Sequence, residues 1–195
     1  MNARKATITR KTKETDIVCT INLDGSGVIT VDTGLGFLDH MLEALGKHAG
    51  FDLELHCKGD LRIDDHHTAE DCALTLGSAI DQALGDRKGI RRFGTGFVAM
   101  DEALVRSVID LSGRPFADIA LGMKREKLGD IACENLEHVL RSLAIAARAT
   151  LHVDALKGEN DHHRVEAGFK SVALALREAV SRSGGNEIPS TKGSL

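Results

Sequence analysis

FLDHML, residues 37–42, is answered 98 positions later by NLEHVL, residues 135–140. Leu38, Met41, Leu42 and Leu45 stand at i, i+3, i+4 and i+7, the spacing that gathers apolar side chains on one helix face, and Leu136, Val139, Leu140 and Leu143 repeat it. Downstream, Leu53, Leu55 and Cys57 alternate as a half-buried strand does, and Leu151, Val153 and Ala155 match them at the same offset. The offset then falls to 96, where DDHHTAE (residues 64–70) superimposes on NDHHRVE (residues 160–166). Each motif opens a helix: Ala69, Ala73, Leu76, Ile80 and Ala83 in one copy, and Val165, Phe169, Val172 and Leu176 in the other, step by threes and fours. Asp64 or Asp65, and Asn160 or Asp161, are suitable N-caps.

Upstream of the paired helices, Ile21, Leu23 and Gly25 match Ile109, Leu111 and Gly113 at an offset of 88, with an insertion around MKREKLGD (residues 123–130) absorbing the difference. Each half reads as two or three strands, a helix, a strand and a helix, so the chain is an α+β protein made by tandem duplication of that unit. Repeat 1 covers about residues 1–88 and repeat 2 about residues 89–182, with a tail at 183–195, all in one domain. Two antiparallel-rich sheets with helices packed between them bury every apolar face in this pattern.

With 195 residues the chain can bury a sizeable core without disulfides, and its four cysteines (Cys19, Cys57, Cys72, Cys133) fall singly in apolar segments, as core thiols do. A net charge of −4, no Trp or Tyr and six Phe argue against a nucleic-acid partner. No apolar run approaches membrane-spanning length and the first residues are charged, so a cytoplasmic protein is expected.

Nine histidines are the unusual component, and six of them belong to the repeat: His40, His66, His67, His138, His162 and His163. On a helix, positions i and i+3 share a face, which favours pairing His67 with Glu70 and His163 with Glu166 around a metal ion. The adjacent His66 and His162 point about 100° away and are assigned across a pseudo-two-fold axis to the opposite repeat. One expected centre is then His40, His67, Glu70 and His162; the other is His138, His163, Glu166 and His66. A helix start disfavours the imidazolium, leaving the neutral ligand form. Asp39, Glu137, Asp65 and Asp161 are candidate acceptors for imidazole N–H groups. Imidazole-rich donors without thiolate suit manganese, iron, nickel or zinc rather than calcium.

Weaker signals accompany these. GLGF (residues 34–37) and FGTGF (residues 93–97) lack the third glycine of a dinucleotide fingerprint and read as strand turns. Arg91, Arg92, Arg114, Lys170 and Lys192 are candidate anion ligands, and Glu14 reads as a hairpin-turn carboxylate.

FLDHM, DDHHTAED, EHVLRS, NDHHRVEAGFK and PSTKG occur together and in order. In these motifs the chain resembles, over essentially its whole length, the imidazoleglycerol-phosphate dehydratase family in its monofunctional form. The resemblance implies a duplicated βββαβα-type fold of the ribosomal protein S5 domain 2-like kind, with two four-stranded sheets flanking a four-helix layer, and two manganese ions per active site. It also implies a homo-oligomeric shell of twenty-four subunits built from trimers, with sites between subunits. It makes Arg92, Arg114, Lys170, Ser190 and Lys192 phosphate contacts and Glu14 and His48 substrate neighbours. Catalytic roles fall on Glu14, His40, His67, Glu70, His163 and Glu166.

The implied reaction of histidine biosynthesis converts D-erythro-imidazoleglycerol phosphate to imidazoleacetol phosphate by removing a proton that no carbonyl acidifies. Lewis-acid metals can instead promote loss of the imidazole N–H; the imidazolate expels hydroxide to give a diazafulvene, whose neighbouring C–H is now acidic. Glu14 and a metal-bound water are candidate proton relays. A dinuclear phosphate-ester hydrolase and a metal-storage shell are the rival readings of the same donors.

Overall fold

The computed structural model describes residues 4–193. The first half runs β1 (Lys5–Lys11), β2 (Thr15–Asn22), β3 (Ile29–Asp32), α1 (Gly36–Ala49), β4 (Asp52–Gly59) and α2 (His66–Leu84). The second runs β5 (Phe93–Met100), β6 (Ala103–Asp110), β7 (Phe116–Ala120), a short hairpin β8 (Lys127–Leu128) and β9 (Ile131–Ala132), α3 (Cys133–Ala146), β10 (Thr150–Lys157) and α4 (Asp161–Val180). The hairpin is the insertion found in the sequence.

The two sheets have the same topology, β1-β2-β4-β3 and β5-β6-β10-β7. Both are mixed, because β3 runs parallel to β4 and β7 parallel to β10, while the other pairs are antiparallel. Strand alternation sets which face goes inward: Leu53, Leu55 and Cys57 of β4 are buried while Glu54, His56 and Lys58 face out.

Helices α1 and α2 cover the first sheet and α3 and α4 the second; α1 then packs on α4 and α2 on α3. This makes the four-helix layer, and it makes every helix pair a contact between repeats. The faces read from the sequence supply the seam: Leu38, Met41, Leu42 and Leu45 are at most 1% exposed, as are Val165, Phe169 and Val172. Each such side chain contributes roughly 1.5–3 kcal/mol relative to exposure. All four cysteines are free and buried.

Helix α1 stops at Gly50, whose φ of 75° places it in the left-handed region that lets its N–H reach back to the last carbonyls. The glycines of FGTGF are not turn residues. Gly94 and Gly96 lie within β5, where a Cβ would overlap the carbonyl oxygens of Ala175 and Ser171 on α4. They let strand and helix approach closely. The tail folds back on residues 89–92: Gly89 N–H donates to Glu187 O at 3.0 Å and Arg92 to Pro189 O at 2.9 Å. Among the described residues, no helix is long and apolar enough to cross a membrane.

Candidate metal centres

The helix pairing decides which histidines meet. His40 on α1 faces α4 and joins His162 and Glu166; His138 on α3 faces α2 and joins His66 and Glu70. In each group one donor atom per residue lies within 4.8 Å of the others. Within the chain this grouping differs from the expected one in two respects. The paired donors of each group stand at i, i+4 on one helix rather than i, i+3, so His66, not His67, lies with Glu70, and His162, not His163, with Glu166. The crossing between repeats is made by His40 and His138, because their helices pack against the opposite repeat. His67 and His163 lie outside both groups.

Glu166 is only 6% exposed, and its two oxygens are divided. Oε2 faces His162 Nε2 at 3.0 Å and His40 Nε2 at 3.4 Å, while Oε1 accepts from Lys170 Nζ at 2.7 Å. Burial opposes its ionisation, but Lys170 and the imidazoles outweigh it and the carboxyl is held below its ordinary range. At the other centre Glu70 Oε1 lies 3.0 Å from His138 Nε2, and His66 stacks on His138 with centroids 5.1 Å apart. His66 Nδ1 is 2.9 Å from Asn135 Oδ1. Since the Asn135 amide nitrogen donates to Asp65, its oxygen accepts from Nδ1–H, so in the neutral ring the lone pair is on Nε2.

His67 and His163 each meet a carboxylate instead. His67 Nδ1 is 3.1 Å from Asp60 Oδ2, and its Nε2 is 3.8 Å from Glu14 Oε1. His163 Nδ1 is 2.8 Å from Glu102 Oε2. These partners raise both imidazoles above their ordinary value, with Asp60 and Glu102 the largest causes, opposite to the lowering expected of a helix start. Glu102 is correspondingly lowered to about 2, first by His163 and then by the backbone N–H groups of Asn160 and Glu159. Sequence reading missed Glu102, although the signal was present: it lies 88 residues after Glu14, at the offset already established, and occupies the β5–β6 turn as Glu14 occupies the β1–β2 turn. Asp60 and Asn135 have no such repeat signature.

The acidic residues expected to orient imidazoles hold backbone instead. Asp39 Oδ1 accepts from Thr33 N–H at 2.8 Å and Glu137 Oε1 from Leu121 N–H at 3.0 Å, tying the segment before each ligand-bearing helix to that helix. Asp65 accepts from Ala132 N–H and Asp161 from Lys124 and Arg125 N–H. Only Asp65, through Asn135, reaches a histidine. Asp64 and Asn160 are the residues whose side chains accept at the helix starts, from His66 and His162 N–H.

The candidate anion ligands fall in two places. Lys170 lines a cavity of about 500 Å³ with His40, His48, Lys47 and Glu166. His48 is lowered by burial and by Lys170, which favours its neutral form. Arg92 lies at the far end of α4, where its N–H donates to Ala179 O. At 1.5 Å per helical residue this end is about 13 Å from Lys170. Arg92 donates to both oxygens of Asp110, at 2.7 and 3.1 Å; Arg114 is 3.9 Å from Asp110, and Arg91 pairs with Glu178. The Pro189 contact brings the tail bearing Ser190 and Lys192 beside Arg92, and Lys192 N–H donates to Ser190 Oγ at 3.2 Å. Residues 194 and 195 of the tail lie outside the described residues.

Two imidazole nitrogens and one carboxylate oxygen per centre fit a divalent first-row metal and leave coordination positions open. A duplicated α+β chain with two such His₂Glu groups defines the class: a candidate metal enzyme whose donors meet between helix pairs. The family model of imidazoleglycerol-phosphate dehydratase matches residues 33–176. The enzyme of that name from Phaffia rhodozyma is 57% identical over 98% of this chain and 96% of its own length. The Saccharomyces cerevisiae enzyme is 50% identical over 100% of both. Among solved structures, the Pyrococcus furiosus enzyme in complex with (S)-C348 is 39% identical with a TM-score of 0.84, covering 96% of this chain and 100% of that one. The Staphylococcus aureus enzyme is 34% identical with a TM-score of 0.83, covering 91% and 99%. The chain belongs to the imidazoleglycerol-phosphate dehydratase family, lyases of histidine biosynthesis.

Proposed function

We propose that the chain is a cytoplasmic, manganese-dependent hydro-lyase that converts D-erythro-imidazoleglycerol phosphate to imidazoleacetol phosphate through the imidazolate and diazafulvene route. It acts as a single domain, in a twenty-four-subunit shell of trimers whose sites are completed between subunits. The observation that carries this reading is that each centre gathers three donors from its own chain while each motif leaves one histidine, His67 or His163, outside it. Such a histidine is suited to complete the centre of a neighbouring subunit.

Bound manganese, two ions per site, supplies Lewis acidity toward the substrate's imidazole ring. His40, His162 and Glu166 would hold one ion and His66, Glu70 and His138 the other, with His67 and His163 donated across subunit boundaries. Lys170 neutralises Glu166 and, with neutral His48, lines the cavity that receives the polar chain of the substrate. Glu14, exposed on its turn beside His67, is the proton carrier at the carbon that loses hydrogen. Arg92, Arg114, Ser190 and Lys192 clamp the phosphate from a second subunit, which reconciles them with the distant Lys170. Remote phosphate binding then fixes the reacting carbons against Glu14.

Subunit mixing tests the shared site. His67→Ala removes the donated ligand and His162→Ala removes the receiving centre, so each variant alone loses activity by more than about 100-fold. Co-assembled from unfolded chains, the two regain a substantial fraction of turnover, because some sites combine an intact centre with an intact donor. Mixtures as inactive as either parent contradict a site completed between subunits.

A further inference from the structure

The first repeat carries a thiol pair that the second lacks. At the repeat offsets, Cys57 on β4 corresponds to Ala155 and Cys72 on α2 to Gly168, so the shared fold does not require sulfur at either place. Strand β4 and helix α2 run close beside one another here because Gly59 has no side chain: the Cβ of Thr68 lies 3.0 Å from where Gly59 would carry its own. Two residues back along the strand is about 6.6 Å, and four residues on along the helix is about 6.0 Å, so contact between 59 and 68 brings 57 opposite 72. Residues 57 and 59 share one face of the strand and residues 68 and 72 one face of the helix, so the two buried thiols stand on the facing surfaces. A disulfide needs Cβ atoms about 3.5–4.5 Å apart, so only residues facing one another across such a close contact can form one. Access differs between them: Cys57 keeps 8% of its surface open and Cys72 none, so a small oxidant meets Cys57 first.

We propose that Cys57 and Cys72 form a peroxide-sensitive dithiol that closes to a disulfide, pinning the ligand-bearing start of α2 to β4. The Cys57 sulfur attacks the O–O bond of hydrogen peroxide, takes one oxygen to become a sulfenic acid and releases water. Cys72 then attacks that sulfur, the S–S bond forms, and the S–O bond breaks with release of a second water. The two thiols lose two electrons and two protons, and one peroxide becomes two waters. Cys72 follows Glu70 by two residues, so the bond fixes the turn that presents His66 and Glu70.

The test treats the reduced full-length protein with a slight excess of hydrogen peroxide, unfolds it in alkylating reagent and maps its peptides by mass. The expected result is one cross-linked pair joining the Cys57 and Cys72 peptides, two hydrogens lighter than the reduced pair, with Cys19 still alkylated. Hydrogen exchange across residues 66–72 slows on oxidation of this protein but not of Cys57→Ala, which carries the residue found at the equivalent place in repeat 2. Both thiols remaining alkylated, Cys57 passing to sulfinic acid without a cross-link, a bridge to Cys19, or unchanged exchange would overturn the proposal.

Discussion

At the scale of single residues, Glu166 and Glu102 do different work with the same functional group. Glu166 is buried between two imidazoles and a lysine, so its negative charge is needed for the centre as well as for Lys170. Glu166→Gln keeps the shape and removes the charge, and is expected to lower manganese bound per chain from the proposed two to about one, measured by elemental analysis after equilibrium dialysis. Glu102 touches neither three-donor group but holds His163 through Nδ1. Glu102→Gln is expected to weaken manganese binding by about 10–100-fold through loss of that orientation, read by metal titration. The histidines and glutamates of the two candidate groups were legible because duplication multiplies a short motif. The carboxylate beside His163 was legible only to a reader who carried the 88-residue offset back to Glu14, and Asn135 was not, since an asparagine on an amphipathic helix carries no repeat signature.

Helices and strands explain why the ligand grouping differed from its sequence reading. Periodicity identifies the buried face of a helix but not the helix it is buried against. Here α1 meets α4 and α2 meets α3, so each centre straddles the two repeats, and that pairing selects the i, i+4 glutamate over the i, i+3 one. The four amphipathic helices, their order and the strand alternation were all readable; the parallel pairing of β3 with β4 and of β7 with β10 was not, because register depends on partners distant in sequence. Close packing of β5 on α4 gives a sharper consequence. Gly96→Ala forces a Cβ into the Ser171 carbonyl, and either strand or helix must shift. Destabilisation of about 1–3 kcal/mol is expected, measured by chemical denaturation. A stability equal to that of the unaltered protein would mean that the two elements do not pack as described.

For the whole molecule, the ends of the chain are tied together electrostatically. Arg4 pairs with Asp24 at 2.6 Å and donates to Val180 O, and Arg182 also reaches Asp24, at 3.3 Å. The Asp24 carboxyl is lowered to about 2, first by the Arg4 hydrogen bond, with burial opposing. Folding therefore favours the ionised form, and the stabilisation is complete above about pH 4 and fades as pH falls through about 2. Asp24→Asn should lower Tm by about 1–4 °C near neutral pH, with the gap from the unaltered protein closing in acid. A gap independent of pH would show that the carboxylate charge is not what ties the ends.

The proposed dehydration depends on the two histidine–glutamate centres. The most direct measurement is turnover of imidazoleglycerol phosphate by protein stripped of metal and then reconstituted with Mn²⁺, following ketone and free phosphate in the same reaction. The account predicts no turnover without metal, and ketone formation restored by Mn²⁺ with no phosphate released. Ketone formed by the fully stripped protein, or phosphate released in place of ketone, would contradict it.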